Sequence, residues 1–329
     1  MASLKGKQLL IILLPSVLTV FLVAGWWIST QLSKPDKLDL QFVRQFGGTG
    51  HGPGEFLEVS DIALDGLGRV LVSDLTRADV QVFEQNGLHL MTVGGRDSDE
   101  ALSGCNAVVG GPNGEIAVQD SFSGRLLVYD ADGGLVSSLK DKDVTGGLQD
   151  LAALDDQIYL LSFRRDGLIV RRGDFSGESF QELINLKTDP VKFGIARSMA
   201  VTPDGRIHVA GWMSCRIYVF NSSGEFIRET VIPGRPVKEG EFDDARKLRG
   251  VTHIVSMAVD SVGSLYVLTR NSKRAYIYRL DSTGRVEAIL DPFEAGEIDP
   301  LAMAFKDGGV CFFALERVLN VDVFKLISE

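Results

Sequence analysis

The chain has 329 residues, 45% hydrophobic and 24% charged, with 36 glycines, 10 prolines and 3 cysteines. Those proportions exclude wholesale disorder, collagen-like structure and a disulfide framework. A formal net charge of −10 excludes non-specific nucleic-acid binding as the main business, because an acidic surface is repelled by phosphates.

The acidity is uneven: residues 1–37 hold four lysines and one aspartate, leaving 30 basic and 43 acidic residues in 38–329. Between Lys7 and Lys34 there is no charge, and Leu9 to Ile28 reads LLIILLPSVLTVFLVAGWWI. Twenty helical residues rise about 30 Å, the thickness of a bilayer's hydrocarbon core. The sequence therefore predicts a basic cytoplasmic tail at 1–8, a transmembrane signal anchor at 9–28 with the lipid bilayer as its partner, a linker at 29–37 and a folded domain at 38–329. Pro15 is tolerable in such a helix, and Trp26 and Trp27 fall where indoles favour the headgroups. Lys5, Lys7 and the small residues Val23-Ala24-Gly25 also suit a cleaved signal, although the apolar run is longer than a signal's core. Either way the domain is expected on the extracytoplasmic side, periplasmic or extracellular.

The domain opens with a strand pattern at Leu38–Gly47 and a glycine-rich loop, GGTGHGPGEF (47–56). Gly50, Gly52 and Gly54 invite a phosphate-loop reading, but the loop leads into a strand at Asp61 rather than a helix, so permissive backbone angles are the better reason for them. From there one unit recurs. A small apolar strand, a tight turn and a second strand appear as DIALDGLGRVLVSD (61–74), NAVVGGPNGEIAVQD (106–120), DLAALDDQIYLLS (150–162), SMAVTPDGRIHVAG (198–211), SMAVDSVGSLYVL (256–268) and LAMAFKDGGVCFFA (301–314). Each is followed by a hairpin pattern, as in VQVFEQNGLHLMTV (80–93) or IYVFNSSGEFIRETV (217–231), with Gly87, Gly133, Gly177, Gly224 or Gly284 in its turn. The turn residues Gly68, Gly114, Asp156, Gly205, Gly263 and Gly308 are separated by 46, 42, 49, 58 and 45 residues, the period of a four-stranded propeller blade. The last hairpin stops at VDVFKL (321–326), one strand short. Leu38–Gly47 is one strand too many at the other end, so the N-terminal strand is expected to complete the sixth blade and close an all-β six-bladed propeller.

Several local motifs dissolve on inspection. DADGG (130–134) lacks the glycine and glutamate of a calcium loop and reads as a hairpin turn. Cys105, Cys215 and Cys311 are expected to pack as small apolar residues. His89 and His208 lie inside strand patterns, and Asn221-Ser222-Ser223 is explained by its turn. EGEFDDARKL (239–248) stands as a short helix or ordered loop. There is no nucleophile elbow and no zinc spacing, so no cofactor, no metal and no catalytic residue is expected.

The run GGTGHGPGEF followed by DIALDGLGRVLVSDLTRADVQVFEQNG resembles the NHL-repeat family and related six-bladed propellers of bacterial surface and periplasmic proteins. The resemblance extends over 42–326, is strongest in the first blade, and weakens where Ser162 stands in place of Asp74 and Asp120. It implies a propeller used mainly for binding, with enzymes in the minority. Calcium-dependent lactonase or arylesterase relatives and zinc-bearing lyases supply the alternative. For them Glu58, Asp61 and Asp150 are the candidate oxygens, opposed by Ala107, Met199, Met257 and Met303 at the other inner-strand entries.

In a propeller the loops entering the innermost strands share one face around the central channel. They carry His51, Glu55, Glu58 and Asp61 before and in blade one, Asp150 in blade three, Arg197 in blade four, and Arg249 and His253 in blade five. Loops are polar in any case, and some of these groups are expected to cap strands or bridge blades. The functional expectation is a recognition mouth for a protein, peptide or small anionic ligand, with both arginines as forked donors and both histidines as pH-sensitive ones.

Overall fold

A computed structural model describes residues 38–96, 101–164, 167–187, 195–236, 238, 250–272, 274–290, 300–315 and 319–328. The segment 9–28, Arg249 and the 239–248 insertion lie outside them. No helix among the described residues is long and apolar enough to cross a membrane.

Leu38–Gly47 (β1) precedes the first repeat. Blade one is Val59–Leu64, Val70–Asp74, Asp79–Phe83 and His89–Gly94 (β2 to β5). Blade two is Cys105–Gly110, Ile116–Asp120, Arg125–Tyr129 and Leu135–Leu139 (β6 to β9). Blade three is Leu148–Leu154, Gln157–Arg164, Gly167–Asp174 and Phe180–Lys187 (β10 to β13). Blade four is Ala196–Val201, Ile207–Gly211, Arg216–Phe220 and Phe226–Val231 (β14 to β17). Blade five is His253–Val259, Leu265–Arg270, Ala275–Leu280 and Val286–Leu290 (β18 to β21). Blade six holds Pro300–Lys306, Val310–Leu315 and Asn320–Ser328 (β22 to β24). Its fourth strand is β1, paired antiparallel to β24 from Leu38 opposite Ser328 to Gly47 opposite Asn320. The ring is closed by β1, which removes the open edge an unfinished blade would expose. Apart from one 3-10 turn at Asp307–Gly309, every regular element described is a strand.

The strand pattern works because side chains alternate between the two gaps flanking each blade. In β3, Val70 and Val72 face blade six while Leu71 faces blade two. Six apolar clusters fill the six gaps between neighbouring blades. The middle strands β3, β4 and β7 are therefore buried at every position. All three cysteines are free and buried among these side chains. Hairpin turns take the expected form: at Asp130–Gly134 Gly133 has φ 86° and its N–H bonds the Asp130 carbonyl at 3.1 Å. Asn221 likewise accepts from Ser223 N at 3.1 Å and Glu225 N at 2.9 Å within its own turn.

Two aspartates fasten the loops that enter the inner strands. Asp74, at the end of β3, accepts hydrogen bonds from Leu57 N at 2.6 Å, Glu58 N at 3.1 Å and Arg77 N at 2.8 Å. Asp120 does the same in blade two for Ser103 N and Gly104 N, each at 3.1 Å. Gln81 completes the first of these clamps, accepting from Gly54 N and donating to the Glu55 carbonyl, both at 2.7 Å. Gly54 has φ 80°, so the glycine-rich loop answers to backbone geometry.

Candidate functional site

The six innermost strands enclose a central channel of about 530 Å³. Each of them carries a β-bulge just after its start, between Val59 and Asp61, Cys105 and Val108, Leu148 and Asp150, Ala196 and Ser198, Ile254 and Ser256, and Pro300 and Ala302. A bulge adds one residue against its partner strand and re-aims that side chain. The added residues are Ser60, Asn106 with Ala107, Gln149, Arg197, Val255 and Leu301, and all of them line the channel. Four of the six entries thus put a polar bulge residue at the mouth.

The residue after the bulge latches one blade to the next. Asp61 accepts from Ile62 N at 2.8 Å and from Val108 N of blade two at 3.0 Å. Asp150 accepts from Leu151 N at 2.9 Å and from Met199 N of blade four at 2.7 Å. Ser198 Oγ accepts from Met257 N of blade five at 3.1 Å. The register puts Ser198 and Ser256 level with Asp61, as the aligned repeats had them, and Ala302 level with it in blade six, so Met199, Met257 and Met303 are not the residues that stand where Asp61 does. The methionines begin the next step of the strand.

Asp61, Asp150 and Arg197 are brought together. Burial pushes the Asp61 carboxyl well above the usual carboxylate range, the Asp150 charge adds to the rise, and the backbone N–H donors and Arg197 act against it. Burial also raises Asp150, opposed by the Met199 and Leu151 N–H groups and by Arg197. Two desolvated carboxyls in one channel cannot both ionise freely, so the pair holds a proton into the neutral range. The Arg197 side chain is exposed, and no hydrogen bond or ion pair to another described residue holds its guanidinium.

The other expected residues sit elsewhere. Glu55 is turned back onto its own loop, accepting from Gly52 N at 2.8 Å, and Glu58 accepts from Thr76 Oγ1 at 2.6 Å. Both, with His51, are exposed and outside the channel lining. Glu58 therefore does not join Asp61 and Asp150 as a third oxygen. His253 packs edge-on against Trp212 with ring centroids 5.1 Å apart, and burial, then Arg270, lowers its pKa. It is not a channel residue either. Among the remaining histidines, His89 Nε2 pairs with Thr92 Oγ1 at 2.9 Å, and burial takes His208 down to about 4.

Among the described residues no three His, Cys, Asp or Glu side chains converge so as to hold a metal ion. At the far end of the channel the charges are already engaged. Asp65 pairs with Arg69 at 2.6 Å, and Lys306 Nζ donates to Gln85 Oε1 at 2.6 Å. The entry end is where donor capacity is left over. Sequence reasoning picked out Arg197 but missed Asn106 and Gln149. Their signal was available as a polar residue at the start of the inner-strand repeat (Asn106) or one place before it (Gln149), as also seen at Ser60 and Arg197.

No protein-family model and no curated protein sequence matches this chain. Solved structures resemble it in fold. A member of the DUF4221 family from Bacteroides vulgatus superposes with a TM-score of 0.64 at 10% identity, covering 90% of this chain and 100% of that one. Virginiamycin B lyase from Staphylococcus aureus gives 0.58 at 15% identity over 88% of this chain and 100% of its own. A gluconolactonase from Xanthomonas campestris gives 0.58 at 13% identity over 89% and 99%. At such identities the likeness is one of architecture, and function has to be argued from the site.

Proposed function

We propose that this protein is a non-catalytic binding module, tethered to a membrane by residues 9–28 with its propeller on the extracytoplasmic side, that captures a small anionic or peptide-like ligand at the channel mouth. The observation that carries the reading is Arg197: a bulge aims its guanidinium at the mouth, and its donors are unspent. A fork of N–H donors suits a carboxylate or phosphate, and an exposed one loses little hydration on binding. The proton held by Asp61 and Asp150 lowers the negative charge behind it, so an anion is not turned away. Tethering would keep the mouth near membrane partners at high effective concentration.

Among the described residues the two channel carboxyls are the support for a metal-dependent enzyme of the lyase or lactonase kind. Each already accepts two backbone N–H bonds, which suits a latch between blades better than a metal ligand. The test is calorimetry on the full chain in mild detergent with a panel of di- and tricarboxylates and N-acetyl amino acids. Replacing Arg197 and Arg249 by alanine should weaken the strongest binder by about tenfold or more, with the melting temperature unchanged. Unchanged affinity in the double variant rejects the reading.

A further inference from the structure

A second cavity of about 490 Å³ opens from the same mouth and runs between the β7–β8 turn of blade two and the loop entering blade three. Arg197 stands at its inner end, because it lines both cavities. Phe122 stands toward its outer end, 69% exposed, pressed so closely over Gly104 that a Cβ there would come within 2.7 Å of the ring. A large aromatic left open to water on a glycine seat is a stacking platform that folding does not use.

Between these two groups the lining is polar. Asn106, Gln119 and Gln149 contribute three amides. Gln119 Nε2 donates to the Leu148 carbonyl at 2.8 Å, Asn106 Nδ2 to Gln119 Oε1 at 3.5 Å, and Gln149 Nε2 to the Gly147 and Leu148 carbonyls at 3.3 and 3.4 Å. The side-chain oxygens of Asn106 and Gln149 accept no hydrogen bond from a described residue. The Ser121 hydroxyl is a buried polar atom without a partner among the described residues. The walls are preformed: Thr145 Oγ1 donates to the Gly124 carbonyl at 2.7 Å, tying one wall to the other, and Arg164 Nε donates to the Gly146 carbonyl at 3.0 Å. A fixed groove costs little ordering when a ligand enters.

We propose that this groove binds a uronic-acid oligosaccharide, with a carboxylate on Arg197 and a sugar ring against Phe122. The inference rests on the reading of Arg197 as an anion donor and extends it to a ligand class. A pyranose ring offers an apolar C–H face for an aromatic platform and hydroxyls that donate, which suits the amide oxygens of Asn106 and Gln149. Only a uronic acid adds the carboxylate that the guanidinium requires. An extended peptide fits less well. Among the described lining residues Leu75 and Phe122 are the large apolar side chains apart from the buried Leu148, too few to seat the alternate side chains of a peptide strand, and the starts of β6 and β10 that border the groove are interrupted by bulges. The volume falls within the range of roughly 300–1,000 Å³ usual for small-molecule sites.

The test is calorimetric titration of the full chain in mild detergent with trigalacturonate, its methyl ester, and acetyl-trialanine with a free carboxylate. Trigalacturonate should bind, and the uncharged ester should bind about tenfold more weakly. F122A, which removes an exposed ring and leaves the fold intact, and R197A should each weaken trigalacturonate by about tenfold, with Q149A smaller in the same direction. Loss in R197A with F122A and Q149A both unchanged overturns the groove and leaves the anion reading standing. Loss in F122A with R197A and the ester unchanged overturns the anion reading and the uronate with it. Tighter binding of the peptide, or no binding of either oligosaccharide at millimolar concentration, overturns the ligand class.

Discussion

Replacing Phe46 by alanine tests whether the N-terminal strand holds the ring shut. Phe46 lies near the end of β1 opposite Val321 and reaches from blade six into blade one, where its ring sits 5.0 Å from that of Phe83. The fit is close: a Cβ on Gly87 would come within 2.7 Å of the Phe46 Cβ. Truncating this half-buried ring should destabilise the domain by about 2–3 kcal/mol from lost apolar burial and the space left behind. For a folded unit the size of 38–329 that corresponds to a fall in melting temperature of about 3–5 °C. V43A supplies the contrast. Val43 is the extra residue of the β1 bulge between Phe42 and Arg44 and is 48% exposed, so its truncation should change stability by less than about 0.5 kcal/mol. Differential scanning calorimetry of both variants of the full chain decides the matter. Equal shifts, or no shift in F46A, would refute closure by β1 as a contributor to stability.

Three further expectations use the same melts. D74A removes the carboxylate that accepts three backbone N–H groups, so it should cost about 3 kcal/mol, with faster amide exchange at Leu57 and Glu58. Because the folded Asp61 and Asp150 pKa values are raised, the folded state binds more protons than the unfolded chain between the usual carboxylate range and the raised values. Their contribution is therefore greatest at low pH and is lost as pH rises through neutrality, so the melting temperature should fall between about pH 5 and 8. D61N should flatten that fall, and an identical slope in the variant would refute the assignment. Millimolar calcium or zinc should leave the melting temperature within about 1 °C of that with chelator, whereas a rise of several degrees would bring the metal-enzyme reading forward.

What the sequence determined by itself was local and repetitive. Period-2 alternation, glycine in the turns and a spacing of 42 to 58 residues announce six four-stranded units, because each blade needs two apolar faces and cheap reversals of direction. Even the closing strand was legible, since an extra strand at one end and a missing one at the other have a single economical resolution. The site was legible only in part. Asp61, Asp150 and Arg197 were expected at the mouth and do meet there, whereas Glu55 and Glu58 are taken by their own loop and neighbouring turn, and His253 by Trp212.

The reason is that a strand shows one face or the other according to a shift of a single residue. The repeat alignment sets Ser198 level with Asp61, but that the residue before each of them is bulged into the channel shows only in the paired strands. The groove over blade two lies further out of reach. Phe122 and Arg197 are 75 residues apart in the chain and share a cavity because closing the ring brings the turns of blade two beside the mouth.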